Sequence, residues 1–165
     1  MKNLFSQNPL FFTFFFPALV DGAVTLLGQD YQYWSGLKTV NEASPAYYFL
    51  LASPWLFLLG SFAWFVFWYW LLKRLKEPLN LFLMFLFVAG HSWGSGSWII
   101  KMFKQAGIYT FDNQPSIIFA WSLLIGYFLL IAFAATYCLK IYLTENKRVV
   151  GVRKLKNFLF FVSKL

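Results

Sequence analysis

The sequence predicts an all-α integral membrane protein, a bundle of four transmembrane helices with a basic amphipathic helix at its C-terminus. Three observations carry this prediction. Of the 165 residues, 60% are hydrophobic and 12% are charged, which is about half the charged fraction of a soluble domain. Apolar runs long enough to cross a bilayer recur along the chain. The charged residues gather at the ends of these runs, where basic side chains anchor and orient membrane proteins.

The predicted spans are about 10–27, 54–72, 79–100 and 116–139, and with their loops they make one membrane domain over residues 1–144. A cleaved signal peptide is the alternative for the first run. Asp21 argues against it, because this residue falls where small neutral residues should precede a cleavage site. Pro17 lies inside the first span and should bend it.

Two Ser-Pro pairs, at 44–45 and 53–54, each resemble a helix start, with Ser as the N-cap and Pro in the first turn. One interpretation is a short interfacial helix over residues 45–52 followed by the second span. The other is a single long helix that is kinked at Pro54. The sequence leaves both open.

Residues 145–165 differ in kind, because basic side chains alternate there with apolar ones. Val152, Leu155, Leu159 and Val162 recur three or four residues apart and so share one helical face. We expect a cytoplasmic amphipathic helix on anionic lipid. The alternative is a partly disordered basic tail, limited by Gly151. The net charge of +8 is placed for lipid, so nucleic acid is not an expected partner.

The distribution of charge predicts the orientation. If both termini lie inside, eleven of the 14 Lys and Arg residues are on the inner side, as the positive-inside rule requires. We therefore predict a multi-pass protein of the cytoplasmic membrane with the N-terminus and C-terminus inside.

Asp21 and His91 are polar residues within apolar runs, and they are the strongest candidates for a functional site. Counted from the inner ends of their spans, they lie within roughly one helical turn of each other in depth. Because an isolated charge in hydrocarbon is expensive, both should face the bundle interior and find partners. Glu42, Gln29 and Asn41 lie in the outer loop above them and could complete the mouth of a cavity.

The chemistry of this site would rest on an aspartate that orients a histidine as a general base. The catalytic candidates are Asp21, His91 and Glu42, and the ligand-binding candidates are Gln29, Asn41 and Ser95. Ser95 lies one turn from His91 on the same helix, which disfavours a serine hydrolase, because nucleophile and base normally converge from separate elements. One His and the remote Cys138 do not make a metal site, and no cofactor motif is present.

Small residues four apart indicate faces where helices approach closely. The pairs are Ala18 with Gly22, Gly90 with Gly94, and Ser122 with Gly126. The first functional hypothesis is therefore a non-enzymatic accessory subunit, or a small homo-oligomer, that acts through helix contacts with a membrane-protein partner or its own copies. The second is an outward-facing intramembrane site, an enzyme or a site for small-solute or proton binding and transport, built on Asp21 and His91 with Glu42.

Overall fold

The computed structural model describes residues 4–37, 40–42 and 45–162, with the side chains of the last helix described as far as Glu145. Within these residues the chain is helical and has no strand, which confirms the predicted all-α class. The helices are α1 (Leu4–Gln7), α2 (Pro9–Leu27), α3 (Tyr31–Trp34), α4 (Pro45–Leu50), α5 (Pro54–Leu72), α6 (Leu79–Gln105) and α7 (Gln114–Val162).

Three helical segments are long and apolar enough to cross a membrane: Pro9–Leu27, Pro54–Leu72 and Gln114–Glu145. The third predicted span also forms a helix, because α6 has 27 residues and is about 40 Å long. Its length is sufficient, but the glycines, serines and histidine between residues 90 and 97 lower its hydropathy. The structure therefore establishes three candidate spans, and a crossing by α6 stays a prediction.

Helix α2 lies at the centre of the fold. It packs most extensively on α6 and also contacts α7 and α5. In the most apolar stretch of each helix, 44% of the residues are buried in α2, 11% in α5 and 17% in α7. Aromatic rings fill the contact with α5, where Phe14 meets Trp64 at 5.7 Å between ring centroids. The first long helix is thus the core element against which the others are positioned.

The segment 45–72 forms two helices, α4 and α5, with a break at residues 51–53. Ser53 precedes Pro54 in an extended conformation, but its side chain makes no capping hydrogen bond. The loop before α4 is tied to this break, because the hydroxyl of Tyr33 donates to the carbonyl of Leu51 at 2.9 Å. Burial raises the pKa of Tyr33, so this phenol stays a hydrogen-bond donor.

Helix α7 runs without interruption for 49 residues, so the structure has no separate C-terminal helix. Gly151 does not interrupt α7, because one glycine costs a helix only about 1 kcal/mol and no proline follows Pro115. The side chains of the predicted amphipathic face lie outside the described residues. So do residues 163–165.

Candidate functional site

Asp21 of α2 and His91 of α6 are in direct contact. His91 Nδ1 lies 2.8 Å from Asp21 Oδ2, and the side chain of His91 is only 15% exposed and that of Asp21 only 7%. An ionised carboxylate can only accept a hydrogen bond, so with Asp21 ionised the imidazole donates its Nδ1 proton to it. The sequence predicts similar depths for these two residues in the first and third spans, and the structure places them in contact.

Gly94 allows this contact, because it lets the backbone of α6 lie against the carboxylate. A Cβ atom built at Gly94 would be 2.5 Å from Asp21 Oδ1, closer than real side chains approach. Gly28 has a similar role at the C-terminal end of α2, where an added Cβ would overlap the ring of Trp98. Two glycines, one at each helix, thus set the separation of α2 and α6 around the pair.

Tyr47 of α4 is the third residue of the site. Its hydroxyl donates to Asp21 Oδ2 at 3.3 Å. Burial, with the neighbouring Asp21 charge adding to it, raises the pKa of Tyr47 well above its ordinary value. The phenol therefore stays protonated and available as a donor over the physiological range. The sequence offered no specific signal for it, since the two tyrosines of α4 look alike.

The second nitrogen of His91, Nε2, has no hydrogen-bond partner among the residues that the structure describes. The ring is enclosed by aromatic side chains, with Trp64 edge-on at 5.3 Å and Phe87 at 6.3 Å between centroids. With Nδ1 engaged as a donor, Nε2 carries a lone pair that can accept a proton or a hydrogen bond. This is the tautomer that general-base chemistry or recognition of a donor requires.

The pair lines a cavity of about 490 Å³ between α2, α6 and the loop that carries Glu42, which we call the polar cavity. Its wall includes Asp21, Thr25, Glu42, Tyr47, His91 and Trp98. Glu42 accepts a hydrogen bond from the indole of Trp98 at 3.3 Å. Glu42, predicted at the mouth of the site, thus lines the same cavity as the pair.

Gln29 and Asn41 do not line the polar cavity. The backbone N–H of Asn41 donates to Gln29 Oε1 at 2.9 Å, and Gln29 Nε2 donates to the carbonyl of Thr25 at 2.9 Å. These hydrogen bonds hold the loop against the C-terminal end of α2, and they engage both Oε1 and Nε2 of Gln29. In the structure both residues hold the loop that carries Glu42, and a ligand contact by either one stays a prediction.

Ser95 also lies outside the cavity and is fully buried. Its hydroxyl is 2.7 Å from that of Tyr127 on α7, and it donates to the carbonyl of His91 at 2.6 Å. In the structure this hydroxyl joins α6 to α7, and a ligand contact by Ser95 stays a prediction.

The small-residue pairs divide between helix contacts and open faces. Ala18 is buried, and a Cβ at Gly22 would meet the ring of Phe57 at 3.7 Å. Gly90 and Gly126 have no neighbour within 4 Å of an added Cβ, and Ser122 is exposed. Among the described residues, no helix packing is observed at these three positions.

Gly96 was missed in the sequence and lies at the contact of α6 with α7. An added Cβ there would be 3.0 Å from the ring of Phe128. Ser92 lies four residues before Gly96 in the sequence. The two therefore form another small-residue pair, and this spacing could have identified the contact.

The described residues thus define a class: an all-helical protein with three helices fit to cross a membrane and a buried aspartate–histidine pair at a cavity. Comparison with protein-family models, with curated proteins and with solved structures found no match. Within the described residues, no three His, Cys, Asp or Glu side chains group as a metal site needs.

Proposed function

We propose that this protein is a four-span membrane protein that binds a small solute at an outward-facing site built on Asp21 and His91, with Glu42 at its mouth. The observation that carries the proposal is the 2.8 Å contact between the two side chains on the wall of a cavity of about 490 Å³. A charged or ionisable group in a membrane-spanning segment is costly and usually marks a functional site.

Binding is favoured over hydrolysis by the surroundings of His91. Acyl transfer needs a nucleophilic hydroxyl within hydrogen-bond reach of the basic nitrogen. Among the described residues none donates to His91 Nε2, and Ser95 is engaged with Tyr127. A solute with a hydrogen-bond donor would instead find two acceptors there, Nε2 and the carboxylate of Asp21.

The topology that we propose places α6 across the membrane beside α2, with both termini inside. Two features support it. Helix α6 packs on α2 more extensively than any other helix does, and the basic clusters fall on one side of such an arrangement. The protein would lie in the cytoplasmic membrane, with its basic C-terminal segment on anionic lipid.

The test is native mass spectrometry of the protein gently extracted from its own membrane, compared with Asp21→Asn and His91→Gln. The matched control is Asp112→Asn, which neutralises an exposed carboxylate in another loop. We expect the wild type and the control to retain one small molecule, and both site variants to lose it while keeping their fold. Retention of the same molecule by Asp21→Asn and His91→Gln would contradict the proposal.

A second candidate function is that of an accessory subunit or small homo-oligomer. The specific observation is the open surface at Gly90, Ser122 and Gly126, where small residues meet no helix of this chain among the described residues. Such faces permit close approach of another helix. In the same spectra, a stoichiometric protein partner or a defined oligomer that Gly126→Leu dissociates would favour this function.

A further inference from the structure

A second cavity adjoins the polar cavity and has a volume of about 260 Å³. It lies between α2, α4 and α5, and we call it the apolar slot. Its wall is almost entirely apolar and includes Ala18, Leu19, Gly22, Phe57, Leu58 and Trp64. Tyr47 and His91 line both cavities, so these two side chains belong to the walls of both the apolar slot and the polar cavity.

The rim of the apolar slot faces outward from the helices. Leu19 of α2 and Leu58 of α5 line it and are 48% and 49% exposed. Both helices are candidate spans, so in a bilayer these rim residues contact hydrocarbon. A hydrocarbon chain can therefore enter the slot sideways from the lipid without crossing polar surface.

The polar cavity carries the chemistry that selects a head group. Asp21 and Glu42 line it, and among the described residues no Lys or Arg lines either cavity. Asp21 Oδ1 and His91 Nε2 accept no hydrogen bond from the described residues. Trp93 adds an aromatic face, which attracts cations, whereas the ring of Trp98 already holds Lys101 Nζ at 3.8 Å from its centroid. A head group that is cationic and donates hydrogen bonds complements this wall.

We propose that the two cavities together bind one single-chain cationic amphiphile, a long-chain primary amine. Its hydrocarbon chain lies in the apolar slot along Leu19, Leu58 and Trp64. Its ammonium group donates to Asp21 Oδ1 and His91 Nε2. This inference rests on the proposed function and names the class of ligand that the site takes.

The probe is dodecylamine with a photoreactive diazirine near the end of its chain, added to the full-length protein in phosphatidylcholine nanodiscs. After illumination, the labelled residues are mapped by peptide mass spectrometry. We expect labels on the slot-lining residues of α2 and α5. Excess dodecylamine should suppress this labelling about tenfold or more, and excess dodecanoate should not, because a bond between charged partners is lost with the wrong head group.

Dodecanoate is the informative competitor, because it has the same chain and the opposite charge. Lipid tails are as apolar as the slot, so the chain alone provides little preference for the protein over the bilayer. A difference between the two competitors therefore reports the head group at Asp21. Asp21→Asn should lower slot labelling by about tenfold for the same reason.

Two variants fill the apolar slot from opposite walls, Gly22→Leu on α2 and Ser61→Leu on α5. A Cβ at Gly22 makes only ordinary contact with Phe57, at 3.7 Å, so the helix itself is not strained and the larger side chain occupies the slot. The matched control is Ala63→Leu, at an exposed position of α5 outside the slot. We expect both slot variants to abolish labelling there, and the control to keep it.

Labels spread over all exposed faces of α5 and α7, equal protection by dodecanoate, or unchanged labelling in both slot variants would each overturn the inference. The proposed function has a separate failure. If Asp21→Asn loses the retained solute but the slot is not labelled in the wild type, the site stands and the amphiphile is wrong.

Discussion

The carboxylate of Asp21 lies against the backbone of α6 at Gly94, where the space for a side chain is missing. A Cβ at this position would be 2.5 Å from Asp21 Oδ1 and 3.0 Å from the carboxylate carbon. The same carboxylate binds His91, which lies three residues earlier on the same helix. The packing of α2 on α6 and the geometry of the site therefore depend on one another.

Gly94→Ala should push α2 and α6 apart and disrupt the site. Overpacking of this kind costs about 1–3 kcal/mol of stability. Gly90→Ala is the matched control, one turn earlier on the same helix, because nothing lies within 4 Å of its added Cβ. The measurement is thermal unfolding in detergent, and a loss of stability that is equal in the two variants would contradict the assigned packing.

Ser95→Ala should weaken the contact of α6 with α7 and leave the polar cavity intact. The hydroxyl of Tyr127 would lose its partner at 2.7 Å, at a cost of about 1 kcal/mol. Tyr127→Phe removes the other partner, and the double variant should cost less than the sum of the two single ones. If Ser95→Ala keeps its fold but loses the retained solute, Ser95 contributes to solute binding and the prediction is contradicted.

Tyr47 should make stability fall in alkaline solution. Its pKa is raised above the ordinary value of 10.0 by burial and by Asp21, so the unfolded chain ionises this phenol first. Its contribution is fully present below about pH 10 and is lost as the pH rises toward the raised pKa. Tyr47→Phe lacks this dependence and should cost about 1 kcal/mol at neutral pH.

The check is thermal unfolding of the wild type and of Tyr47→Phe at about pH 9 and about pH 11, on either side of the ordinary pKa. Tyr48→Phe, at the exposed neighbouring position, is the control. The stability difference between wild type and Tyr47→Phe should shrink at the higher pH. A difference that stays constant would show that Tyr47 is not buried beside Asp21.

The proposed orientation predicts which loops reach the outer surface. In a Cys138→Ala background, Leu37→Cys should react with a membrane-impermeant maleimide in intact cells, since Leu37 is 79% exposed in the outer loop. Lys76→Cys should react only after the cells are opened. The reverse pattern would place both termini outside, and reaction at both positions in intact cells would rule out a crossing by α5.

Much of the helical framework follows from the sequence because it depends on local patterns. The apolar run 54–72 is bounded by Pro54 and by Lys73, and α5 has these same limits. The approach of Asp21 and His91 follows from their positions along the helices, since both residues lie at similar distances from the N-terminal ends of α2 and α6. Only the exclusion of polar side chains from lipid is needed for that step.

The rest of the site depends on how helices rotate and pack, which no local pattern specifies. Tyr47 reaches Asp21 because the loop before α4 folds back over α2. Ser95 and His91 lie about one turn apart on α6. His91 nevertheless contacts α2, whereas Ser95 contacts α7. Glu42 lines the polar cavity, whereas Gln29 and Asn41 hold the loop that carries Glu42.

The most direct test of the Asp21–His91 pair uses the fact that the chain has a single histidine. Nitrogen NMR of the protein labelled with ¹⁵N-histidine reports this one ring without assignment. The account predicts a proton on Nδ1 in a hydrogen bond, an unprotonated Nε2, and a clear change in the Nδ1 signal in Asp21→Asn. A proton on Nε2, or a spectrum that Asp21→Asn leaves unchanged, would contradict the pair on which the site is built.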